Sequence, residues 1–175
     1  MNGFILWLAQ GFGIGRIPVA PGTFGSMVGL VWFALLLSTG QLWLFLLGTF
    51  LGGAASVWIC GTGENILRKK DPGSVVLDEI AAMPVCFLGL LMKFWAAHHS
   101  LPPLDAFFGR TSWYLTFGIF VLFRILDVLK PWPVRASQSL AGGWGITVDD
   151  FLAAIYVALI TCFLCYFLKS PPFTA

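Results

Sequence analysis

Acidic and basic side chains recur between residues 123 and 150 at spacings that suit chemistry on a phosphate group. This stretch reads FRILDVLKPWPVRASQSLAGGWGITVDD, and the segments on both sides of it are almost free of charge. Arg124, Asp127 and Lys130 are three residues apart, so on a helix they share one face. A charged side chain at the centre of a bilayer costs roughly 2.5–3.5 kcal/mol. We therefore expect this connector at the membrane's edge or facing a protein interior, and we expect it to have a function.

Two other polar groups precede this stretch. Asp78 and Glu79 begin an apolar segment, where acids ordinarily complement the helix dipole. Thr23 and Ser26 lie in the sequence PGTFGS and are natural helix N-caps. Hydroxyls and backbone N–H groups at a helix N-terminus also suit a phosphate. For each group taken alone, a role at the start of a helix is a sufficient explanation.

The elements that must position these residues are membrane helices. The 175 residues are 58% hydrophobic and 10% charged, whereas soluble domains carry about a quarter charged residues. We expect an all-α integral membrane protein, one domain over residues 1–175, folded as a compact bundle of about five transmembrane helices. The spans are predicted at residues 24–38, 42–59, 80–97, 112–129 and 150–168, after a short interfacial or re-entrant helix within residues 1–15.

The basic residues predict an orientation for these spans. With five spans, only Arg110 and Lys169 lie on one side of the membrane, and Lys93 lies in a span near that side. The remaining bases lie on the other side. The positive-inside rule makes the basic side cytoplasmic, with the N-terminus inside and the C-terminus outside. The acid pairs, PGTFGS and seven of the eight acids fall on that side, all except Asp105. Helix caps alone would fall on both sides, so this convergence predicts a site.

The residues of the predicted site indicate a metal and a phosphate. Its acids are Asp78, Glu79, Asp127, Asp149 and Asp150. An all-oxygen set suits a hard cation, and Mg²⁺ is commonly held by a few carboxylates together with substrate phosphate. Arg124, Lys130 and Arg135 supply cations for a phosphate. The glycines of GGWGITVDD allow close backbone approach at a helix N-terminus. Which acid of each adjacent pair binds the metal stays open.

Other kinds of site are disfavoured. The net charge is +2 and the bases are spread along the chain, so we expect no nucleic-acid partner. The cysteines all lie in apolar runs and are interpreted as small helix residues rather than redox or zinc groups; they are Cys60, Cys86, Cys162 and Cys165. His98 and His99 are adjacent and lack ligand spacing, so they are interpreted as loop residues.

Four motifs together resemble the phosphatidylglycerophosphatase A family. They are PGTFGS (21–26), the Asp78-Glu79 pair, FRILDVLKPWP (123–133) and GGWGITVDD (142–150), and they cover nearly the full chain in order. The resemblance implies a Mg²⁺-dependent phosphatase of the bacterial inner membrane that converts phosphatidylglycerophosphate to phosphatidylglycerol and phosphate at the cytoplasmic face. The family's acidic motifs match the five acids named above, and its basic positions match Arg124 and Lys130. Ala82 stands where the family pattern has a glycine.

From these residues we predict a catalytic group and a phosphate-binding group. The catalytic group is Arg124, Asp127, Lys130, Asp149 and Asp150. The phosphate-binding group is Thr23, Ser26, Arg124, Lys130 and Arg135. Two routes stay open, in-line attack by water and an aspartyl-phosphate intermediate with Asp127 or Asp149 as nucleophile. The expected partner is a phospholipid substrate in the membrane, and the oligomeric state is left open.

Rival functions lack their sequence features. A small ion or lipid transporter is the alternative, but its intramembrane acids should lie at mid-span or at both ends. A CDP-alcohol phosphotransferase needs a compact run of Asp, Gly and Ala-Arg that is missing. Neither histidine lies in the PSGH-like segment of acid-phosphatase-type lipid phosphatases, and the DxDxT pattern of haloacid dehalogenases is absent.

Overall fold

The computed structural model describes residues 2–167, and within this range the chain folds into helices without strands. The all-α prediction is therefore confirmed. A single 3-10 turn, Ile14–Arg16, follows the first helix. In chain order the helices are α1 (Asn2–Ala9), α2 (Pro21–Leu37), α3 (Leu42–Leu67), α4 (Leu77–Cys86), α5 (Leu88–His98), α6 (Asp105–Phe108), α7 (Trp113–Leu129), α8 (Val134–Ser137) and α9 (Gly143–Phe167).

Three helical segments are long and apolar enough to cross a membrane. They are α3, the consecutive pair α4–α5, and α9. Their outer surfaces expose large apolar side chains, such as Phe50 on α3 and Phe163 on α9, as expected for surfaces that face lipid. These segments support the prediction of a membrane protein. The predicted count of five spans also needs α2 and α7, which have 17 residues each.

Helix α4 lies at the centre of the bundle, in contact with α2, α3, α7 and α9. All its residues from Ile80 to Cys86 are buried. Small residues let α2 approach it closely, because a Cβ atom at Gly29 would lie 2.6 Å from the Met83 Cβ. Next to α4, the rings of Phe33 and Phe87 stack with centroids 3.8 Å apart. Four neighbouring helices thus hold α4, whose first turn carries Asp78 and Glu79.

Several helix boundaries differ from the predicted ones. Helix α3 continues to Leu67, through residues expected to form a loop, and α9 begins at Gly143 rather than Asp150. The third predicted span is divided at Phe87 into α4 and α5. Pro84 precedes this break, and its missing N–H removes a hydrogen bond from the helix. The tail after Phe167, including Lys169, lies outside the described residues.

The start of α2 also differs. The helix begins at Pro21, where the fixed φ of proline suits a first helical position, and its N-cap is Ala20, with φ 48° and no side-chain cap bond. Thr23 and Ser26 therefore lie inside the helix, and the prediction that they are N-caps is wrong. The short N-terminal helix is present as α1, which packs on α3 and is tied to the chain before α4 by a hydrogen bond from the Val76 N–H to the Ala9 carbonyl, 2.9 Å.

Candidate active site

The acids singled out in the sequence meet at one end of the bundle. Asp78 and Glu79 lie in the first turn of α4, Asp127 in the last turn of α7, and Asp149 and Asp150 in the second turn of α9. All five line a cavity of about 240 Å³. Two more charged residues, Asp71 and Lys130, complete its charged lining. Six carboxylates and one lysine therefore face the same small space.

A chain of ion pairs joins three helices at this cavity. Arg124 Nη1 lies 2.9 Å from Asp127 Oδ2 and 3.6 Å from Glu79 Oε1. Lys130 Nζ lies 3.7 Å from Asp127 Oδ1 and pairs directly with Asp149 Oδ2. The predicted placement of Arg124, Asp127 and Lys130 on one face is confirmed by these contacts. Each base also contacts an acid of another helix, so α7 is connected to both α4 and α9.

Two uncharged side chains support this network. Ser26 Oγ accepts a hydrogen bond from Arg124 Nη1 (3.2 Å) and donates one to the Gly22 carbonyl (2.9 Å). Gln138 Nε2 donates to Asp149 Oδ2 (3.1 Å). Ser26 thus orients a cation, although the sequence suggested a direct contact with phosphate. Gln138 was not singled out at all, and its only signal was its position in the polar connector between two apolar segments.

Lys130 is positioned by the end of α7. It has a left-handed backbone (φ 44°) and is followed by Pro131, which cannot supply an N–H to continue the helix. Burial alone would lower the pKa of the Lys130 ammonium, but the hydrogen bond and charge of Asp149, with the charges of Asp150 and Asp127, raise that pKa above its ordinary value. Lys130 therefore stays protonated at neutral pH and keeps one positive charge among the carboxylates.

A second group of acids lies close together on α4 and α9, and one of them, Glu79, also pairs with Arg124. Asp78, Glu79 and Asp150 each offer a carboxylate oxygen, and these oxygens lie within 4.8 Å of one another. Within residues 2–167, Glu79 Oε2 and Asp150 Oδ2 are the buried side-chain oxygens that accept no hydrogen bond. Burying a carboxylate oxygen without a partner is costly, and neighbouring carboxylates repel each other. An all-oxygen, electron-rich set of this kind fits a hard divalent cation such as Mg²⁺.

The two adjacent aspartates of α9 have different surroundings. Asp149 contacts Lys130 and Gln138, whereas Asp150 lies with the acids of α4. Consecutive helical residues point about 100° apart, which is why one side chain faces α7 and the other faces α4. The structure thus gives the two aspartates different partners.

The glycines before these aspartates serve helix packing. A Cβ atom at Gly143 would overlap the carbonyl oxygen of Val57 in α3, and Gly142 has φ 56°. The close backbone approach of Gly143 is therefore to α3, whereas Gly142 supplies a left-handed turn before the helix. Because α9 already begins at Gly143, Asp149 and Asp150 lie in its second turn and not at a helix N-terminus, contrary to the expectation.

Some predicted residues lie elsewhere. Thr23 is half-buried and lines a separate apolar groove along α7. Arg135 is exposed on α8 and is absent from the cavity lining. Asp71 was interpreted as a turn residue but lines the cavity; its signal was its loop, which was predicted on the same side as the other acids. The histidines end α5, away from the cavity lining, and all four cysteines are free, as expected of apolar helix residues.

Comparison with known proteins identifies the family of this chain. The sequence profile of phosphatidylglycerophosphatase A matches residues 7–165. This chain belongs to the phosphatidylglycerophosphatase A family. The resemblance seen in the four motifs is confirmed, and with it the prediction of an enzyme, a phosphatase, over a transporter. No solved structure matches the chain significantly.

Individual relatives match over most of their length. A phosphatidylglycerophosphatase A of Haemophilus influenzae is 35% identical over 162 residues, which are 92% of this chain and 88% of the relative. The protein of the same name from Escherichia coli is 35% identical over 159 residues, 90% and 81% of the two chains. A Bacteroides thetaiotaomicron protein provisionally named phosphatidylinositol-3-phosphatase is 34% identical over 157 residues, 85% and 86%. All three names describe removal of a phosphate from a phospholipid headgroup.

Proposed function

We propose that this protein is a Mg²⁺-dependent lipid phosphatase that hydrolyses phosphatidylglycerophosphate to phosphatidylglycerol and inorganic phosphate. One observation carries this proposal: three carboxylates with two unpartnered buried oxygens lie beside a protonated lysine, in one cavity at the end of a membrane bundle. The substrate is the one named for the Haemophilus and Escherichia relatives.

We infer that the chain crosses the bacterial inner membrane five times, with the cavity on the cytoplasmic face. The spans would be α2, α3, α4–α5, α7 and α9. At a rise of 1.5 Å per residue the 17-residue helices α2 and α7 are ~26 Å long, which is close to the ~30 Å of a bilayer's hydrocarbon core. The bases between α3 and α4 and after α7 support the cytoplasmic assignment.

Asp78, Glu79 and Asp150 would hold the Mg²⁺ ion. When bound there, the ion supplies Lewis-acid polarisation of the phosphoryl group and offsets its charge. Asp127 and Asp149, which were also predicted as ligands, already accept hydrogen bonds or ion pairs from Arg124 and Lys130. We therefore propose that Asp127 and Asp149 lie beside the phosphoryl group of the substrate and do not bind the metal.

The remaining residues act on the phosphate itself. Lys130 and Arg124 stabilise the negative charge of the phosphoryl oxygens as it redistributes in the transition state. Asp127 contacts both bases and so fixes the distance between them. Ser26 keeps the Arg124 guanidinium turned toward the cavity. Thr23 and Arg135 lie outside the cavity lining and are not needed for this arrangement.

Asp149 is proposed to act on the nucleophile. In one route it accepts a proton from water while the water oxygen bonds to phosphorus and the bond to the glycerol oxygen breaks, and the glycerol oxygen then takes up that proton. In the other, Asp149 or Asp127 attacks phosphorus as the bond to the glycerol oxygen breaks. The leaving oxygen takes a proton from water, and the resulting hydroxide hydrolyses the acyl phosphate. A hydroxylamine-sensitive label on the protein under single-turnover conditions with radiolabelled substrate would identify the second route. Its absence while phosphate is released would identify the first.

The function is tested by measuring phosphate release from phosphatidylglycerophosphate in detergent, with Mg²⁺ or with EDTA. Wild type and Asp127→Asn are compared, because Asp127 contacts both Arg124 and Lys130. We expect release that requires Mg²⁺ and is lost in Asp127→Asn. A phosphatidylinositol 3-phosphate substrate, assayed in parallel, asks whether the headgroup named for the Bacteroides relative is accepted. A folded wild type that releases phosphate from neither lipid would refute the proposal.

A further inference from the structure

A groove with apolar walls runs from the carboxylate cavity along one side of α7. The residues of α7 that line it recur at intervals of three and four, which is the spacing of a single helix face. The opposite wall is formed by Thr23, Met27 and Leu30 of α2, which also share a face, and at its far end by Phe107 and Phe108 of α6. The α7 wall consists of Trp113, Thr116, Phe117, Phe120, Val121, Arg124, Ile125, Val128 and Leu129.

The groove consists of two adjoining cavities and meets the candidate active site. The cavity nearer the site has a volume of about 450 Å³ and the farther one about 300 Å³, and Phe120 lines both. Val128 lines the nearer cavity and also the carboxylate cavity. Arg124 belongs to the groove wall by its stem, while its guanidinium contacts Asp127 and Glu79. Along α7, the apolar surface of the groove is thus followed by the Arg124 guanidinium and then by the carboxylate cavity.

We propose that this groove binds an acyl chain of the phospholipid substrate, so that the lipid reaches the carboxylate cavity sideways from the bilayer between α2 and α7. This inference rests on the proposed function, which supplies a substrate with two acyl chains. Phosphatidylglycerophosphate presents hydrocarbon, then a phosphodiester, then a terminal phosphomonoester. The groove meets the hydrocarbon, while Arg124, Lys130 and the carboxylate cavity meet the terminal phosphate.

The dimensions of the groove suit this occupant. From Trp113 to Val128 the helical rise gives a length of ~22 Å. One leaflet contributes about half of the ~30 Å hydrocarbon core, so an acyl chain anchored at the level of Arg124 fits within the groove. Other apolar outer surfaces, such as the exposed face of α3 around Leu51, do not border the carboxylate cavity.

The first test compares two substrates that differ only in chain length. Val121 lines the groove but not the carboxylate cavity, so Val121→Trp narrows the groove without touching the catalytic residues. Its matched control is Leu51→Trp, on the exposed face of α3. Both variants are assayed on long-chain and on short-chain phosphatidylglycerophosphate. Short-chain activity also reports whether each variant is folded.

We expect Val121→Trp to lower kcat/KM for the long-chain lipid by about tenfold, the factor that roughly two buried methylene groups supply. Short-chain kcat/KM should stay near the wild-type value, and Leu51→Trp should leave both substrates unaffected. Equal losses on both substrates, unchanged long-chain activity, or the same selective loss in Leu51→Trp would each overturn the proposal.

The second test measures binding without catalysis. A phosphatidylglycerophosphate with a photoactivatable acyl chain is cross-linked to the wild-type protein in EDTA, and the labelled peptides are mapped by mass spectrometry. We expect labels on Met27 and Phe117, reduced by unlabelled phosphatidylglycerophosphate but not by phosphatidylcholine. Equal competition by both lipids, or labels spread over α3 and α9, would identify ordinary bilayer lipid and overturn the proposal. Selective labelling without any phosphate release would uphold the groove and refute the hydrolysis instead.

Discussion

At the scale of single residues, Lys130 offsets part of the negative charge of the candidate active site. Of the described residues that line the carboxylate cavity, it is the one base, and it contacts Asp127 and Asp149. Removing one partner of a buried ion pair leaves the other partner uncompensated. The charge that we propose stabilises a phosphoryl group in catalysis should therefore also stabilise the folded state.

Lys130→Met should consequently lower both activity and stability. We expect kcat for phosphate release to fall by about 10²–10³, as when one preorganised group that stabilises transition-state charge is removed. The free energy of unfolding should fall by about 3 kcal/mol, because the buried Asp149 carboxylate loses its ion pair and keeps only the uncharged donors Gln138 Nε2 and the Asp150 N–H. Phosphate release and thermal unfolding in detergent measure the two effects.

The matched control is Arg135→Met, which removes an exposed base near the same end of the bundle. We expect its activity to stay within about twofold of wild type and its stability to change by less than about 0.5 kcal/mol, as for most surface substitutions. A loss of activity in Arg135→Met as large as in Lys130→Met would show that Arg135 binds the phosphate, as the sequence suggested.

Asp150→Asn should separate function from stability. The Asp150 carboxylate is buried against Asp78 and Glu79 and has an oxygen without a partner. An amide removes the repulsion and offers N–H donors to the neighbouring acids. We expect Mg²⁺-dependent activity to be lost while the Tm in EDTA rises by ~2–4 °C, the shift that about 1 kcal/mol produces in a chain of this size. A lower Tm in EDTA would contradict the repulsion on which this expectation rests.

The same residues show what the sequence could predict about the site. Counting spans placed all five acids and all three bases at one end of the bundle, because charged residues in an apolar chain have few places to lie. Of these bases, Arg124 and Lys130 contact the acids. Their pairing was not predictable, since the partners of Asp149 and Asp150 depend on how far α9 is rotated relative to α4 and α7. Asp71 was missed because an Asp-Pro-Gly sequence is sufficiently explained as a turn.

At the scale of elements, sequence signals located some helix ends and not others. The end of α7 was predicted because Pro131 stops the helix, and the turn at Gly40 separated α2 from α3. The start of α9 was missed because glycine has a low helix propensity, so GGWGITV was interpreted as a loop. Packing against α3 outweighs that propensity, since Gly143 lies directly on the α3 backbone.

A pair of glycine substitutions tests this explanation. At Gly143 a Cβ atom would overlap the Val57 carbonyl, whereas at Gly118 in α7 nothing lies within 4 Å of it. Gly143→Ala should lower stability by about 1–3 kcal/mol through overpacking and should displace the start of α9, with loss of activity. Gly118→Ala should be neutral or stabilising by up to about 1 kcal/mol, because alanine is the better helix former.

Thermal unfolding and phosphate release of both variants are the measurements. Equal behaviour of Gly143→Ala and Gly118→Ala would mean that α9 can move away from α3 at no cost. The position of Asp149 and Asp150 would then need another explanation than contact between these two helices.

At the scale of the whole molecule, charge and apolar surface are segregated. The carboxylate cavity, the two bases Arg124 and Lys130 that contact its acids, and the Arg68–Lys70 run lie at one end, whereas α3, α7 and α9 expose apolar side chains along their length. Such a molecule suits a substrate whose phosphate is in water and whose chains are in lipid. The proposed orientation adds that this end faces the cytoplasm.

Labelling of single cysteines tests that orientation. Lys69 lies between α3 and α4 and Arg110 between α6 and α7, and both are exposed. If α4–α5 is one span and the carboxylate cavity faces the cytoplasm, a membrane-impermeant maleimide should label Arg110→Cys on spheroplasts, and Lys69→Cys only after the membrane is opened. Wild type controls for reaction at the four native cysteines. The reverse labelling pattern would mean that the cavity faces away from the cytoplasm, against the positive-inside rule. Labelling of both positions from the same side would mean that α4–α5 enters the bilayer and returns.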